Sequence, residues 1–503
     1  MRLTGIHKKT NLIFFLILLV GSFLRLYRLP ETMQFLGDQG RDALIARSIL
    51  FDHDPAFIGP VTSVGNMYLG PFYYYFMVFP LLLSYPSPVG PAYAVALIGI
   101  VTLALLYILG REMIGKRAAL IAMGLYAISP VIITNVRFSW NPNIVPFFSL
   151  LLVWALWKTL QGRHSYWMLI GLCAAVLFQL HYIALILIGL AGLTWMYELV
   201  KSVQQHKVTR EFIQATIIAI GIFVVSLVPL LLFDLRHDWL NTRAFLQFFH
   251  PTISSEKHFR SFSDFTGIGA SVVSMLARVV VEFFGIVAKT LGQKLAVVGL
   301  FLYFAIKAFV HPENKARRKA ISLLLFVFVV SVIFLSLYSS SVFDHYLGFL
   351  FPIVFLVLGL IFANLSRSIF LVPLVVLAIG GFTITSISHY PGTMQMSGTI
   401  FQFERTAQAI APYIPQGKTY NLLSYSPSKD LQAMNYRYFL TTLGKKAASP
   451  DDWTSFERLI IIDEEHRAEP IDETQYVIKL WPNRTLVNHI AVPNGPDVYI
   501  LDR

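Results

Sequence analysis

Charged residues and cysteine are both scarce in this sequence of 503 residues. Only 14% of the residues are charged, 56% are hydrophobic, and Cys173 is the single cysteine. One cysteine excludes an intramolecular disulfide. The shortage of charge and the many long apolar runs exclude an ordinary soluble protein, because such runs are long enough to cross the hydrocarbon core of a bilayer. The composition therefore predicts a polytopic α-helical membrane protein.

Motifs for nucleotide and metal binding are also missing. The sequence has no Gly-rich nucleotide-binding loop, no Walker pattern and no closely spaced Cys/His pairs. A pump with its own ATPase is thereby unsupported. The net charge of +12 would suit nucleic-acid binding, but Lys and Arg gather in short clusters between apolar runs, where they act as topology signals. We therefore exclude nucleic acid as a partner.

Four basic loops predict the topology. Residues 110–117, 158–164, 201–210 and 311–319 are rich in Lys or Arg, which short cytoplasmic loops retain. Residues 11–28 form an apolar run behind a basic start and lack a small-residue cleavage site, which predicts an uncleaved first helix. The amino terminus is therefore expected in the cytoplasm.

Keeping these loops on one side requires that the apolar segments 67–84 and 268–288 do not cross the membrane. Pro71 and Pro80 limit the first segment to a short helix, and charged residues interrupt the second. We expect both to lie on the outer surface, within external loops 30–89 and 234–291, and the carboxyl end to be outside. Eleven spans remain: 11–28, 90–109, 118–134, 144–157, 166–180, 183–199, 212–233, 292–310, 320–338, 347–364 and 369–388.

From about residue 390 the composition changes to that of a soluble protein. We therefore divide the chain into a transmembrane catalytic domain, 1–389, and a small extracytoplasmic α/β domain, 390–503. Three runs typical of strands and one helical pattern support this division: 458–463, 475–481, 497–501 and 428–440.

Acidic residues follow the first apolar run directly. Asp38 and Asp42 are four residues apart and share one face of a helix, and Arg41 is close enough in sequence to pair with Asp38. A solvated amphipathic helix with an acidic start fits this spacing equally well. The acidic cluster 52–54 suits either a cation site or a turn before Pro55, and turns are more common there.

Polar residues in the other predicted outer segments add binding candidates. Arg137 opposes the positive-inside rule, which indicates an anionic partner or interfacial snorkelling. A lone histidine such as His181 is more often structural than catalytic. The full set of candidates for donor-phosphate or acceptor binding is Arg41, Asp42, Arg137, Asn141, His181, Arg236, His237, His345 and Tyr346.

The order of these segments resembles a known family. "GDQGRDALIARSIL", "YLGPFYYYFMVFP", "SPVIITNVRFSWNPN" and "FDHYLGFLFP" follow one another as in the membrane-embedded GT-C glycosyltransferases. The likeness covers most of residues 1–390. It is greatest to the branch that contains protein O-mannosyltransferases and lipid A aminoarabinose transferases.

The resemblance implies an inverting glycosyltransferase that takes a hexosyl or pentosyl unit from a polyprenyl-phosphate-linked donor. The acceptor is a protein, a lipid or a glycan at the outer face of a bacterial-type plasma membrane. Asp38 takes the acidic catalytic role, although Gln39 stands where many members have a second acid. Because Pro71 lacks the Lys or His that often precedes it, the phosphate contacts are expected from Arg137, Arg236 and His345. A divalent cation is left open as a cofactor, and no metal ligand is assigned.

A transporter is the alternative from another class. A lipid or polysaccharide flippase with a non-catalytic external domain would also span the membrane many times. Transporters, however, usually carry charged residues within their spans and show inverted repeats. The spans of this chain are nearly free of acids and no repeat is visible, which favours the transferase.

Overall fold

The computed structural model describes residues 2–62, 67–249, 258–260, 263–284, 290–310, 314–393, 399–414, 417–471, 476–481 and 484–503. A helical membrane body precedes a small mixed domain. The helices of the body are α1 (Arg2–Leu26), α2 (Leu29–Thr32), α3 (Gly37–Arg47), α4 (Phe72–Ser84), α5 (Val89–Ile114), α6 (Lys116–Ile128), α7 (Pro130–Asn135), α8 (Val145–Thr159), α9 (Tyr166–Leu180), α10 (Leu185–Gln204), α11 (Arg210–Ser226), α12 (Val228–Arg236), α13 (Leu240–Phe249), α14 (Phe265–Phe284), α15 (Leu291–Val310), α16 (Lys315–Leu337), α17 (Phe351–Leu365) and α18 (Val372–Ser388).

The number of spans differs from the predicted eleven. Within the described residues, 7 helical segments are long and apolar enough to cross a membrane, or 8 if the bent pair of α11 and α12 forms one span. Two predicted spans fall short because α9 has only 15 residues and the run 118–134 breaks at Ser129 into α6 and α7. A third, 292–310, lies in α15 and is not among the counted segments. All eleven predicted segments are nevertheless helical. The chain is thus an integral membrane protein, while its orientation stays a prediction.

The two segments predicted to lie at the surface are both helical. The first is α4, whose 13 residues are too few for a full crossing. The second is α14, and the predicted segment 268–288 is described as far as residue 284. Parts of the external loop 234–291 lie outside the described residues, at 250–257, 261–262 and 285–289. Their placement on the outer surface stays a prediction.

Glycine allows the central helices to pack at backbone distance. A Cβ on Gly359 of α17 would lie 2.3 Å from the carbonyl oxygen of Ala118 and 2.7 Å from the Cβ of Ala122, both in α6. Lipid tails are as apolar as the helices, so helix association in a membrane depends on such close packing. The pair α17 and α6 therefore forms the centre of the bundle.

Two buried arginines fix the first helix to the bundle. Arg25 donates to the carbonyl oxygens of Gly21 at 2.9 Å, Ala127 at 3.0 Å and Tyr126 at 3.2 Å. Arg137 donates to the carbonyl oxygens that end α1, including that of Arg25 at 3.0 Å and that of Tyr27 at 2.9 Å. These bonds satisfy carbonyls that the end of a helix leaves without partners.

The C-terminal domain has a four-stranded mixed sheet with the strand order β1-β2-β4-β3. Strands β1 and β2 pair in parallel, and β4 pairs antiparallel with β2 and with β3. Helices α19 and α20 cover one face, and the buried Trp481 packs on Phe456 on the other. The elements are α19 (Ile400–Ile410), β1 (Tyr420–Tyr425), α20 (Met434–Thr442), β2 (Arg458–Asp463), α21 (Tyr476–Lys479), β3 (Thr485–Ala491) and β4 (Asp497–Asp502).

One predicted strand of this domain is wrong. Residues 458–463 and 497–501 lie in β2 and β4, but within 475–481 the chain forms the single helical turn α21. The neighbouring Val477 and Ile478 are both buried. A helical turn can bring adjacent side chains into one core, whereas a strand points them to opposite faces. The division of the chain at residues 389 and 390 stays a prediction.

We expect Gly359→Val to destabilise the membrane body by about 1–3 kcal/mol, because its side chain would overlap the backbone of α6. Thermal unfolding of the purified protein in detergent measures this effect. Gly380→Val is the matched control, since a Cβ on Gly380 in α18 meets nothing within 4 Å. Equal melting temperatures for the two variants would contradict the packing described for α17.

Candidate active site

A cavity of about 1180 Å³ lies in the membrane body, and Ser428 of the C-terminal domain also lines it. Its lining combines charged, aromatic and aliphatic side chains from widely separated parts of the sequence. The polar and aromatic residues that line it include Asp38, Arg41, Trp140, Asn141, His181, Tyr182, Tyr338, His345, Tyr346 and Ser428. Six of the ten predicted site residues therefore meet in one cavity.

Helix α3 brings a carboxylate to the polar end of this cavity. Arg41 Nη1 donates to Asp38 Oδ1 at 2.8 Å, as the spacing predicted. The Asp38 side chain is 46% exposed, and its second oxygen has no hydrogen bond within the described residues. One carboxylate oxygen is thus held by Arg41, and Asp38 lines the cavity, where it can accept a proton.

Asp42 holds Arg41 from the opposite side. Arg41 donates from Nε at 3.0 Å and from Nη2 at 2.8 Å to the same Asp42 oxygen, and the Asp42 side chain is fully buried. Burial raises the pKa of Asp42 to about 6, and the guanidinium of Arg41 opposes that rise. Asp42 therefore lies beneath the cavity as a support for Arg41, not at its surface beside Asp38.

A cluster of aromatic rings forms the wall beside α3. The ring of His345 lies 4.5 Å from Trp140 and 5.6 Å from His181, measured between centroids, and His181 lies 5.0 Å from Tyr346. Asn141 donates to the carbonyl oxygen of Leu180 at 2.6 Å, which fixes the Trp140 turn against the end of α9. The His181 Nδ1 accepts a hydrogen bond from a backbone N–H at 3.2 Å, so its ring proton is on Nε2.

The remainder of the cavity is apolar. Helix α10 contributes Ile186, Leu190 and Leu193, and α16 contributes Val330 and Phe334. These helices lie in the membrane body, so the apolar part extends from Asp38 toward the hydrocarbon region. The cavity can therefore hold an amphiphile with a polar head beside α3 and a hydrocarbon tail between α10 and α16.

Four predicted site residues lie elsewhere. Asp42 is beneath the cavity, and Arg137 is 2% exposed with its guanidinium committed to the end of α1. The carbonyl oxygens at the end of α1 accept the hydrogen bonds of this guanidinium in the structure, and the phosphate-binding role of Arg137 stays a prediction. Arg236 and His237 are exposed outside the cavity, where Arg236 lies over Phe57 and His237 stacks on Phe233.

Sequence reasoning missed the contribution of the C-terminal domain. Ser428 lines the cavity although it lies 390 positions after Asp38, and no local motif marks it. Tyr182 and Tyr338 were missed as well, yet Tyr182 directly precedes the predicted span 183–199 and Tyr338 ends the predicted span 320–338, both near a predicted outer turn. That position is a signal that could have identified them.

In the part of the chain that the structure describes, no three His, Cys, Asp or Glu side chains come together as a metal site. In the acidic cluster 52–54, Asp52 pairs with Arg47 at 2.9 Å. This pairing agrees with the interpretation of residues 52–54 as a turn before Pro55 instead of a cation site.

Comparisons with known proteins bear on the fold. Residues 69–230 match the model of the dolichyl-phosphate-mannose-protein mannosyltransferase family. No curated protein matches the chain in a sequence search. The family match covers α4 and the Trp140 turn, which both belong to the predicted resemblance.

Solved structures resemble nearly the whole chain. ArnT from Cupriavidus metallidurans bound to undecaprenyl phosphate is 15% identical with a TM-score of 0.57, over 98% of this chain and 97% of that one. Oligosaccharyltransferase AglB from Archaeoglobus fulgidus, in complex with an inhibitory peptide and a dolichol-phosphate, is 14% identical with a TM-score of 0.53, over 94% and 71%. Arabinofuranosyltransferase AftD from Mycobacteria is 14% identical with a TM-score of 0.54, over 98% and 40%. The predicted GT-C fold is confirmed.

We expect Arg41→Met to cost about 3–5 kcal/mol of stability, because it leaves the buried Asp42 carboxylate without its cationic partner. The loss should be larger near pH 8 than near pH 5, since the buried carboxyl stays neutral at low pH and must ionise as the pH rises. Thermal unfolding in detergent at both pH values measures it. The double variant Arg41→Met/Asp42→Asn should recover most of the stability, and a fully stable single variant would contradict this role.

Proposed function

We propose that the protein is an inverting glycosyltransferase that uses a polyprenyl-phosphate-linked sugar as its donor. The observation that carries the proposal is a half-exposed carboxylate, Asp38, at the polar end of a cavity of about 1180 Å³ whose other end is apolar. The GT-C fold supports this reading, and the ArnT structure of that fold holds undecaprenyl phosphate.

The donor fits the division of the cavity into two parts. Its isoprenoid tail would lie between α10 and α16, against Leu190, Leu193 and Phe334. Its phosphate would lie beside Arg41 and His345, which are the cation and an imidazole ring at the polar end. The sugar would then stand between the phosphate and Asp38. His345 thus keeps its predicted role, and Arg41 takes the place expected for Arg137.

The reaction we propose is a single displacement. The acceptor oxygen attacks the anomeric carbon while Asp38 accepts the acceptor's proton as general base. The bond between the anomeric carbon and the phosphate oxygen breaks, and the electron pair leaves on the polyprenyl phosphate. Arg41 stabilises the charge that develops there. One displacement inverts the anomeric configuration.

We place this reaction at the outer face of the membrane. The loops 110–117, 158–164, 201–210 and 311–319 carry the basic residues that short cytoplasmic loops retain. The acceptor, a protein, lipid or glycan, would then reach Asp38 from the side of the C-terminal domain.

We expect Asp38→Asn to reduce sugar transfer by about 100-fold or more, because the amide cannot accept the acceptor's proton. The assay follows a labelled sugar from a synthetic polyprenyl phosphate donor in purified protein. Asp52→Asn is the control, since Asp52 is a paired carboxylate 14 positions later on the exposed end of the same region. Transfer by Asp38→Asn at the wild-type rate would remove Asp38 from its proposed role.

We expect cysteines at Ser449 and Gln205 to be labelled from opposite sides of the membrane. Both positions are exposed, and the native Cys173 is buried and should not react. In intact cells, an impermeant maleimide should label Ser449→Cys, whereas Gln205→Cys should require permeabilised cells. The reverse pattern would invert the proposed orientation.

A further inference from the structure

The C-terminal domain packs directly on the helix that carries Asp38. Helix α20 lies against α3, and the contact is at backbone distance because α3 has glycine there. A Cβ on Gly40 would lie 2.4 Å from the backbone nitrogen of Asn435. Just before α3, the ring of Phe35 packs edge-on against Tyr438 and Phe439 of α20, with centroids 5.7 and 5.6 Å apart. The position of α3 therefore depends on α20.

One carboxylate connects the starts of both helices. Asp430 Oδ2 accepts a hydrogen bond from the backbone N–H of Met434, the first residue of α20, at 2.8 Å. A Cβ on Gly37, the first residue of α3, would lie 2.6 Å from the same oxygen. The side-chain oxygen of Asp430 therefore caps the start of α20 and lies directly against the start of α3.

Burial and neighbouring groups from both domains act on the pKa of the Asp430 carboxyl. Burial raises the pKa of the Asp430 carboxyl, the backbone N–H groups of Met434 and Gln432 oppose that rise, and the charge of Asp38 adds to it. Two residues before Asp430, the exposed Ser428 lines the cavity itself.

We infer that the C-terminal domain contributes directly to the active site and that Asp430 is a positioning residue for Asp38. The segment 426–435 holds the start of α3, and Ser428 supplies a hydroxyl at the rim of the cavity, where an acceptor would enter. The inference rests on the proposed function, because Asp38 is positioned for the transfer described above.

Two pairs of full-length variants test the inference. Asp430→Ala removes the oxygen that accepts a hydrogen bond from Met434 and lies against the start of α3. Asp430→Asn keeps an oxygen that can accept the same hydrogen bond. Gly40→Ala adds a methyl group that collides with the backbone of α20, whereas Gly192→Ala adds one in α10 where nothing lies within 4 Å. Amide hydrogen exchange of residues 37–47 and the steady-state kinetics of transfer are measured for each protein.

Asp430→Ala and Gly40→Ala should exchange faster at residues 37–47 and lose about tenfold or more in kcat, because misplaced catalytic groups are costly. The donor KM should stay within about twofold, since α10 and α16 still hold the tail. Asp430→Asn and Gly192→Ala should resemble the wild type in both measurements. A role in folding alone would lower the yield of folded protein without this fall in kcat per folded molecule.

Two results would overturn the inference: unchanged exchange of α3 in Asp430→Ala and Gly40→Ala, or faster exchange without a loss of kcat. A failure of the proposed function can be distinguished from a failure of this inference. In the first case the wild-type protein would transfer no sugar from any polyprenyl phosphate donor tested. In that case the exchange measurement alone decides whether the C-terminal domain holds α3.

Discussion

The ion pair network of Asp38, Arg41 and Asp42 is the interaction on which the site depends. Arg41 stands between an exposed and a fully buried carboxylate, so its guanidinium has little freedom to move. The buried Asp42 carries a desolvation cost that this guanidinium offsets as its cationic partner. This cost holds the Arg41 guanidinium in place, because its rotation would take the cationic partner away from the buried Asp42. Asp38 is bonded to the same guanidinium, so its carboxylate is held in one orientation.

The parts of this site that sequence reasoning found are those set by local geometry. The pairing of Asp38 with Arg41 follows from helical spacing within one turn. Asn141, His181, His345 and Tyr346 were found because each adjoins a long apolar run, where the chain must reach the membrane surface. Hydropathy located the apolar segments of the helical body for the same reason, even where breaks such as the one at Ser129 changed the number of full-length spans.

The parts that sequence reasoning missed depend on contacts between distant segments. Arg137 has the local surroundings of an interfacial cation, and only the folded chain reveals that the end of α1, more than 100 positions earlier, supplies its partners. The run 475–481 is rich in aromatic and β-branched residues, as strands are, but the core around Trp481 selects a helical turn. Ser428 reaches the cavity through a domain that carries no recognisable motif.

The buried Arg25 also constrains how the protein is made. Two of its three carbonyl partners, Tyr126 and Ala127, lie about 100 residues later in the chain. During synthesis the first helix therefore enters the membrane with a guanidinium that still lacks its final acceptors, at a stage when an uncompensated charge in hydrocarbon is costly. Biogenesis must keep that helix near water, lipid headgroups or the insertion machinery until α6 arrives, which makes the assembly of α1 with α6 an obligatory early step.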